Sequence, residues 1–216
     1  MTPMARTPAT PDLTPEQEAA GGRREATKER NREAILAAGL EVFGSTGYGE
    51  ATIRDVIRSS GLSTGTFYNY FPDKESVLRA LVDRSATQLR SVLSETRASA
   101  TTPETFVSSG FRVFFEYLAS DPTLFSLLSR NAGAVRQILD EPIMGAGMGE
   151  LARDLEAAVE RGDLPGFNPE LMSAAMAGAA LELGLAMLES QSTTPQQAAE
   201  FATKLFLGGI VELSKP

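Results

Sequence analysis

Between Thr52 and Lys74 the chain reads TIRDVIRSSGLSTGTFYNYFPDK, and its second half is crowded with hydrogen-bonding side chains. Ser63, Thr64, Thr66, Tyr68, Asn69 and Tyr70 supply hydroxyls, phenols and one carboxamide, while Gly65 leaves the backbone uncovered. Such groups suit recognition better than catalysis. The chain has no histidine and no cysteine, so the commonest general base, the commonest metal ligand and any thiolate are missing. A carboxamide such as that of Asn69 can bond an adenine edge, and threonine methyls can touch thymine. Phe67 and Phe71, four residues apart, lie on the opposite side. A short helix with a polar face, anchored from behind by two aromatics, has what a DNA-recognition helix needs. No arginine sits on it, so strong guanine readout is not expected there, although Arg54 in the preceding helix can supply some.

The surrounding residues read as punctuation that places this helix. Thr52 is a good N-cap, and Asp55 three residues on completes a capping box. Ile53, Val56 and Ile57 fall at i, i+3 and i+4, so one face of this first helix is buried. Ser60-Gly61 break it, Leu62 fills the gap, and Ser63 can cap the second helix. Pro72-Asp73 end the second helix.

The segment over about 28–81 resembles the DNA-binding domain of the TetR family of bacterial repressors. The resemblance rests on the Thr52 start, the Gly61-Leu62-Ser63 turn, the Thr66-Phe67-Tyr68-Asn69-Tyr70-Phe71 run, and Asp73-Lys74-Glu75 opening the next helix. It implies an all-α homodimer whose remaining two thirds bind a ligand and dimerise through the last two helices. It also implies that Thr52, Tyr68 and Lys74 hold phosphates, which set register without reading sequence. Ser63, Thr64, Gly65, Thr66 and Asn69 match the face presented to the major groove. For Tyr70 two readings stand: packing against the fourth helix, or a DNA contact.

A formal net charge of −8 over 216 residues argues against DNA binding, but its distribution answers the objection. Residues 23–90 carry 11 Lys/Arg against 9 Asp/Glu, a balance of +2. Residues 91–216 carry 8 against 16, and residues 1–22 carry 1 against 3. Phosphate affinity depends on charge within roughly a Debye length, ~8 Å at physiological salt. The basic segment is the one that would face DNA.

Residues 1–22 hold Pro3, Pro8, Pro11 and Pro15 with little apolar periodicity, and read as a disordered arm. Arg23, Arg24, Lys28, Arg30 and Arg32 follow. They either track the DNA groove or form a solvated helical turn with Glu25, Glu29 and Glu33. A helix is expected over about 28–45, then the two reading helices, then a fourth over about 73–96. The remainder stays helical, with an irregular joint at 140–149, a helix over about 148–161 and two long helices over about 169–190 and 195–213. The expected division is an arm (1–22), a helix-turn-helix head (23–72) and a ligand-binding and dimerisation body (73–216). No segment resembles a signal peptide, and the near-span-length apolar helix at 171–188 contains Glu182, so a cytoplasmic protein without a membrane segment is expected. Its alanines and glycines suit close helix packing, within the subunit or across a dimer.

Gly61-Leu62-Ser63-Thr64-Gly65 satisfies the nucleophile-elbow spacing, but a helix precedes it where a strand is required. The carboxylates Asp140-Glu141 and Asp154 with Glu156 read as solvated helix faces. No catalytic residues, metal ligands or cofactor are expected. In the body, Phe111, Phe114, Phe115, Phe125, Met148, Met172 and Met176 are either ordinary core or the wall of an apolar pocket for a small effector. Residues 121–137 are similar to a segment of repressors that govern fatty-acid unsaturation. That likeness implies a fatty acid or acyl-CoA effector whose charged head meets Arg130 or Arg136. The expected function is a ligand-responsive regulator, a repressor by family habit, on a near-palindromic operator. A helical dimeric scaffold without DNA function is the alternative, and an acyl-carrier enzyme a more distant one.

Overall fold

Side-chain caps divide the chain into helices. The computed structural model describes residues 15–131, 133–134, 142–190 and 192–213, and no strand occurs among them. The helices are α1 (Pro15–Thr46), α2 (Ile53–Ser60), α3 (Thr64–Tyr68), α4 (Lys74–Ser99), α5 (Pro103–Ser120), α6 (Pro122–Arg130), α7 (Pro142–Glu160), α8 (Pro169–Ser190) and α9 (Pro195–Leu213). Thr52, Ser63, Asp73, Thr102 and Asp121 each accept a bond from an orphan amide of the helix that follows. Each such cap stabilises its helix by about 1 kcal/mol.

Two boundaries differ from the sequence expectation. α1 begins at Pro15, so residues 15–22 are helical and not part of an irregular arm; residues 1–14 lie outside the described residues. The local sequence PEQEAA explains this: proline suits a first turn, early glutamates favour the helix dipole, and alanine is the best helix former. Together they outweigh Gly21-Gly22, each unfavourable by about 1 kcal/mol. α7 begins at Pro142, which removes most of the irregular joint expected at 140–149. Its packing against α4, through Glu150 and Asp154, overrides the weak helix propensity of the glycines.

Apolar side chains form two clusters. The first joins Ile35, Leu36 and Phe43 of α1, Val56 of α2, Phe67 of α3, Phe71, and Val77, Leu78, Leu81 and Val82 of α4. Leu124 and Leu127 of α6 complete it, so one helix from the region expected as body packs into the core of the head. The second cluster joins Val107, Phe111 and Phe115 of α5, Leu155 of α7, Met172, Met176, Ala180 and Met187 of α8, and Ala198, Ala199, Ala202 and Ile210 of α9.

Gly39 marks the tightest approach of α1 to α4. A Cβ there would lie 2.6 Å from Val77 Cγ1, on a β-branched side chain with little freedom to retreat. Gly39→Ala is expected to lower unfolding stability by about 1–2 kcal/mol, overpacking outweighing the helix-propensity gain. Urea denaturation checks this. Gly184 of α8 is as close to Leu118 Cδ1, 2.5 Å, but that atom is a flexible tip, so the same change there should cost less.

α8 is the one described helix with the length and composition to cross a membrane. Met172, Met176, Ala180, Gly184 and Met187 are nevertheless buried along it, packed within the protein.

Candidate nucleic-acid interface

The turn between α2 and α3 is built as the residue types require. Gly61 takes the left-handed conformation (φ 68°) that glycine adopts without steric cost, and its N–H donates to Arg58 O. Thr52 and Asp55 form a full capping box: Thr52 N–H donates to Asp55 Oδ2 at 3.0 Å, and Asp55 N–H donates to Thr52 Oγ1 at 3.3 Å. Ser63 Oγ accepts the Thr66 amide at 3.2 Å and lies 2.8 Å from the Thr66 hydroxyl. α3 itself covers only Thr64–Tyr68, a shorter helix than the expected run to Phe71.

A five-residue helix has no stability of its own, so packing must hold it. Phe67 is fully buried and Phe71 nearly so, with ring centroids 6.4 Å apart. The Arg32 guanidinium lies 5.7 Å from the Phe71 ring centroid and covers it from α1. On the other side Ser63, Thr64, Gly65, Tyr68 and Asn69 are exposed, and Thr66 is half-buried. Tyr68 stays 50% exposed while its ring stands edge-on to Phe67. The result is a polar ridge on an apolar anchor. Thr52 and Arg54 are exposed at the start of α2.

Two more of the singled-out residues, Tyr70 and Lys74, are tied to other elements of the head. The Tyr70 hydroxyl accepts a bond from Asn31 Nδ2 of α1 at 3.3 Å, and its ring packs on the first core cluster. The Lys74 ammonium donates to Tyr48 O at 2.8 Å and Ala51 O at 2.9 Å, with Gly49 O at 3.4 Å. It also sits 4.5 Å from the Tyr48 ring centroid. Lys74 thus ties the start of α4 to the loop before α2. Arg23, Arg24, Lys28 and Arg30 are exposed on α1, with Lys28 paired to Glu25 at 3.4 Å.

Hydrogen bonds from Thr52 hold the Asp55 carboxyl below its ordinary value; desolvation opposes this, and Arg58 adds to the lowering. A carboxyl with a depressed folded-state value contributes stability above its unfolded value, and that contribution fades as pH falls through the folded value. Parent protein should therefore lose stability on acidification from about pH 5 to pH 2 more steeply than Asp55→Asn, as read from unfolding midpoints. Parallel curves would remove the capping box from the explanation.

The comparisons with known proteins agree with this geometry. Residues 35–81 match the family described as bacterial regulatory proteins, tetR family. An HTH-type transcriptional regulator of Haemophilus influenzae is 25% identical over 117 residues, 54% of this chain; the match spans 57% of that relative's length. The crystal structure of a TetR-family transcriptional regulator from Syntrophomonas wolfei is similar with a TM-score of 0.76 and 26% identity, over 86% of this chain and 96% of that one. The chain is thus similar to TetR-family regulators, in sequence over the head and in fold over most of its length. The transcriptional regulator FadR from Bacillus subtilis, solved in complex with stearoyl-CoA, shares the TetR-family fold with a TM-score of 0.74 and 21% identity, over 82% of this chain and 98% of that one.

The body residues singled out from sequence do not all come together. Phe111, Phe115, Met172 and Met176 are buried together in the second cluster, with Phe114 at its edge. Phe111 stacks on Phe115 and on Phe206 of α9, a residue not singled out from sequence. Met148 is 43% exposed and Arg130 is exposed at the end of α6. The Phe125 side chain and Arg136 lie outside what is described.

Two clefts open elsewhere. One of about 290 Å³ lies between α1, α4, α5 and α6, lined by Leu36, Leu40, Arg84, Gln88, Tyr117 and Leu124 among others. Another of about 340 Å³ lies at the far end, beside Arg97, Phe106, Asp154 and Arg161. Asp154, expected on a solvated face, accepts from Arg97 Nε at 2.7 Å, and that arginine side chain is only 9% exposed. Asp140 and Glu141 fall outside the described residues.

Proposed function

We propose that this chain is a ligand-responsive transcriptional regulator that binds a near-palindromic duplex operator as a homodimer, with repression as its default output. The observation that carries this reading is the exposed ridge of Ser63, Thr64, Gly65, Tyr68 and Asn69, backed by buried Phe67 and Phe71. Tyr68 and the α2 N-terminus at Thr52 would hold phosphates, and Asn69 and the threonines would meet base edges. Arg54 would reach the same groove from α2. Lys74 would act on the backbone through the loop it ties down, and Tyr70 would support the ridge from behind.

The dimer would form through α8 and α9. Leu171 is 70% exposed on α8, and Phe201, Leu205 and Val211 are 58%, 54% and 63% exposed on α9. Apolar side chains at this density on adjoining helices suit a second copy, while Gly208 and Gly209 permit close approach. Such a regulator works where the chromosome is, in the cytoplasm.

A fatty acid or acyl-CoA is the first effector class to test, supported by the shared fold with a regulator solved with stearoyl-CoA. An acyl chain would enter by parting the contacts among Phe111, Phe115, Met172 and Met176, with Phe114 at the margin. It can shift the equilibrium only by binding one head arrangement better than the other.

Salt-dependent binding of the full chain to promoter-derived duplexes tests the reading. Saturable binding whose log affinity falls linearly with log salt is expected. Flat, absent binding over the whole range would point to a helical dimeric scaffold instead.

A further inference from the structure

Asn131, just beyond α6, is buried to 6% exposure, and nothing in the reading of the head uses it. Both ends of its carboxamide are engaged. Oδ1 accepts the Tyr48 amide, while Nδ2 donates to Phe43 O at 3.2 Å and to Leu127 O at 2.7 Å. Phe43 O lies in the last turn of α1 and also accepts from Gly47 N–H, so the Asn131 bond uses its second lone pair. One side chain from the α6 region therefore bonds to the end of α1 and to Tyr48, the second residue of the loop that leads to α2.

The opposite side of the same loop is held by Lys74, through the carbonyls of Tyr48, Gly49 and Ala51. Tyr48 is thus gripped by its N–H from α6 and by its C=O from α4. Ala51, the last residue Lys74 holds, is bonded directly to Thr52, the N-cap of α2. Burial and the nearby Glu75 and Asp73 carboxylates push the Tyr48 phenol up, so it stays neutral and its ring remains a good face for the ammonium.

We infer that Asn131 is a positioning residue for the reading head: through Tyr48 it links α6 to the loop that sets α2 and α3, in parallel with α4. This inference rests on the DNA-binding reading. Leu124 and Leu127 bury α6 in the core of the head, so α6 cannot shift without pulling on this bond. The Asn131 end of this hydrogen-bond chain is buried and its Tyr48 end half-buried, so both polar ends of the carboxamide are satisfied within the protein. Loss of the Asn131 side chain removes this hydrogen bond between the α6 region and the loop and leaves the Lys74 bonds and the Gly47 N–H to Phe43 O bond.

The test uses Asn131→Ala and Asn131→Asp in the full chain, with operator affinity measured per active, folded molecule and amide hydrogen exchange followed in parallel. For Asn131→Ala the expected result is an affinity loss of roughly 3- to 30-fold with the salt slope unchanged. Exchange should quicken at the Tyr48 and Ala51 amides while α8 and α9 amides keep the parent's protection. Asn131→Asp provides a second arm if the alanine variant fails to fold. Its protonated acid can mimic the amide, whereas its carboxylate would face the carbonyls of Phe43 and Leu127. Affinity should therefore recover as pH is lowered, a dependence the parent lacks. A purely structural Asn131 would lower the melting temperature and leave affinity per folded molecule at the parent value in both variants; that result overturns the inference. Failure of the parent itself to bind duplex overturns the DNA reading, and unchanged Tyr48 exchange in the variants then separately overturns the link.

Discussion

Phe67→Ala is expected to cost about 3–5 kcal/mol and to abolish binding to every duplex sequence alike. Phe67 is fully buried, and it is the central apolar residue of the five-residue helix α3. It shares one buried cluster with Ile35, Val56, Phe71 and Val77. Removing the ring leaves a cavity that a stiff, β-branched neighbourhood cannot close, and α3 has no internal stability to fall back on. Against a typical total stability of 5–15 kcal/mol, this loss removes a large fraction. Chemical denaturation and binding titrations on the same preparation check it. A variant with parent-like stability would mean that the ridge is held by something other than its aromatic anchor.

Asn69→Ala and Tyr68→Ala should separate reading from gripping. Asn69 is exposed at the end of α3 with its carboxamide available, and loss of a bidentate base contact costs about 1–3 kcal/mol of discrimination at one base pair. Tyr68 is half-exposed on the same ridge and its phenol can donate to a phosphate oxygen, so its truncation should weaken all duplexes by a similar factor and leave base preference intact. Affinity measured on a panel of single-base-pair operator variants distinguishes the two patterns. Parent-like profiles for both mutants would remove α3 from the interface.

Most of the head was legible in the sequence because its boundaries are chemical. Thr52 with Asp55, Gly61, Ser63 and Asp73 each has a role that few other residues fill, and each stands where a helix starts or stops. The extension of α1 to Pro15 was hidden by Gly21-Gly22, whose local cost is visible in sequence while the compensating propensity of their neighbours is diffuse. The glycines of α7 misled for the same reason, since only the contacts of Glu150 and Asp154 with α4 reveal why that stretch is helical. The inward task of Lys74 could not be read from its position, because an ammonium looks the same whether it faces carbonyls or phosphates. Asn131 carried no signal at all: an asparagine after an apolar helix is ordinarily a surface cap, and only the fold brings Phe43 and Tyr48 to it. In the body, a helix stripe such as Phe111, Phe115, Met172 and Met176 has the same spacing whether it fills a core or lines a cavity.

Base-methylation protection on a selected operator tests most directly whether the exposed ridge of α3 enters the major groove. Guanine N7 lies in that groove and adenine N3 in the minor one, so the two reactivities report separately. A dimer with its ridges docked predicts N7 protection in two patches about 34–36 Å apart on one side of the duplex, and loss of both patches in Phe67→Ala. Protection confined to adenine N3, or a single N7 patch unaffected by changes at Tyr68 and Asn69, would contradict it.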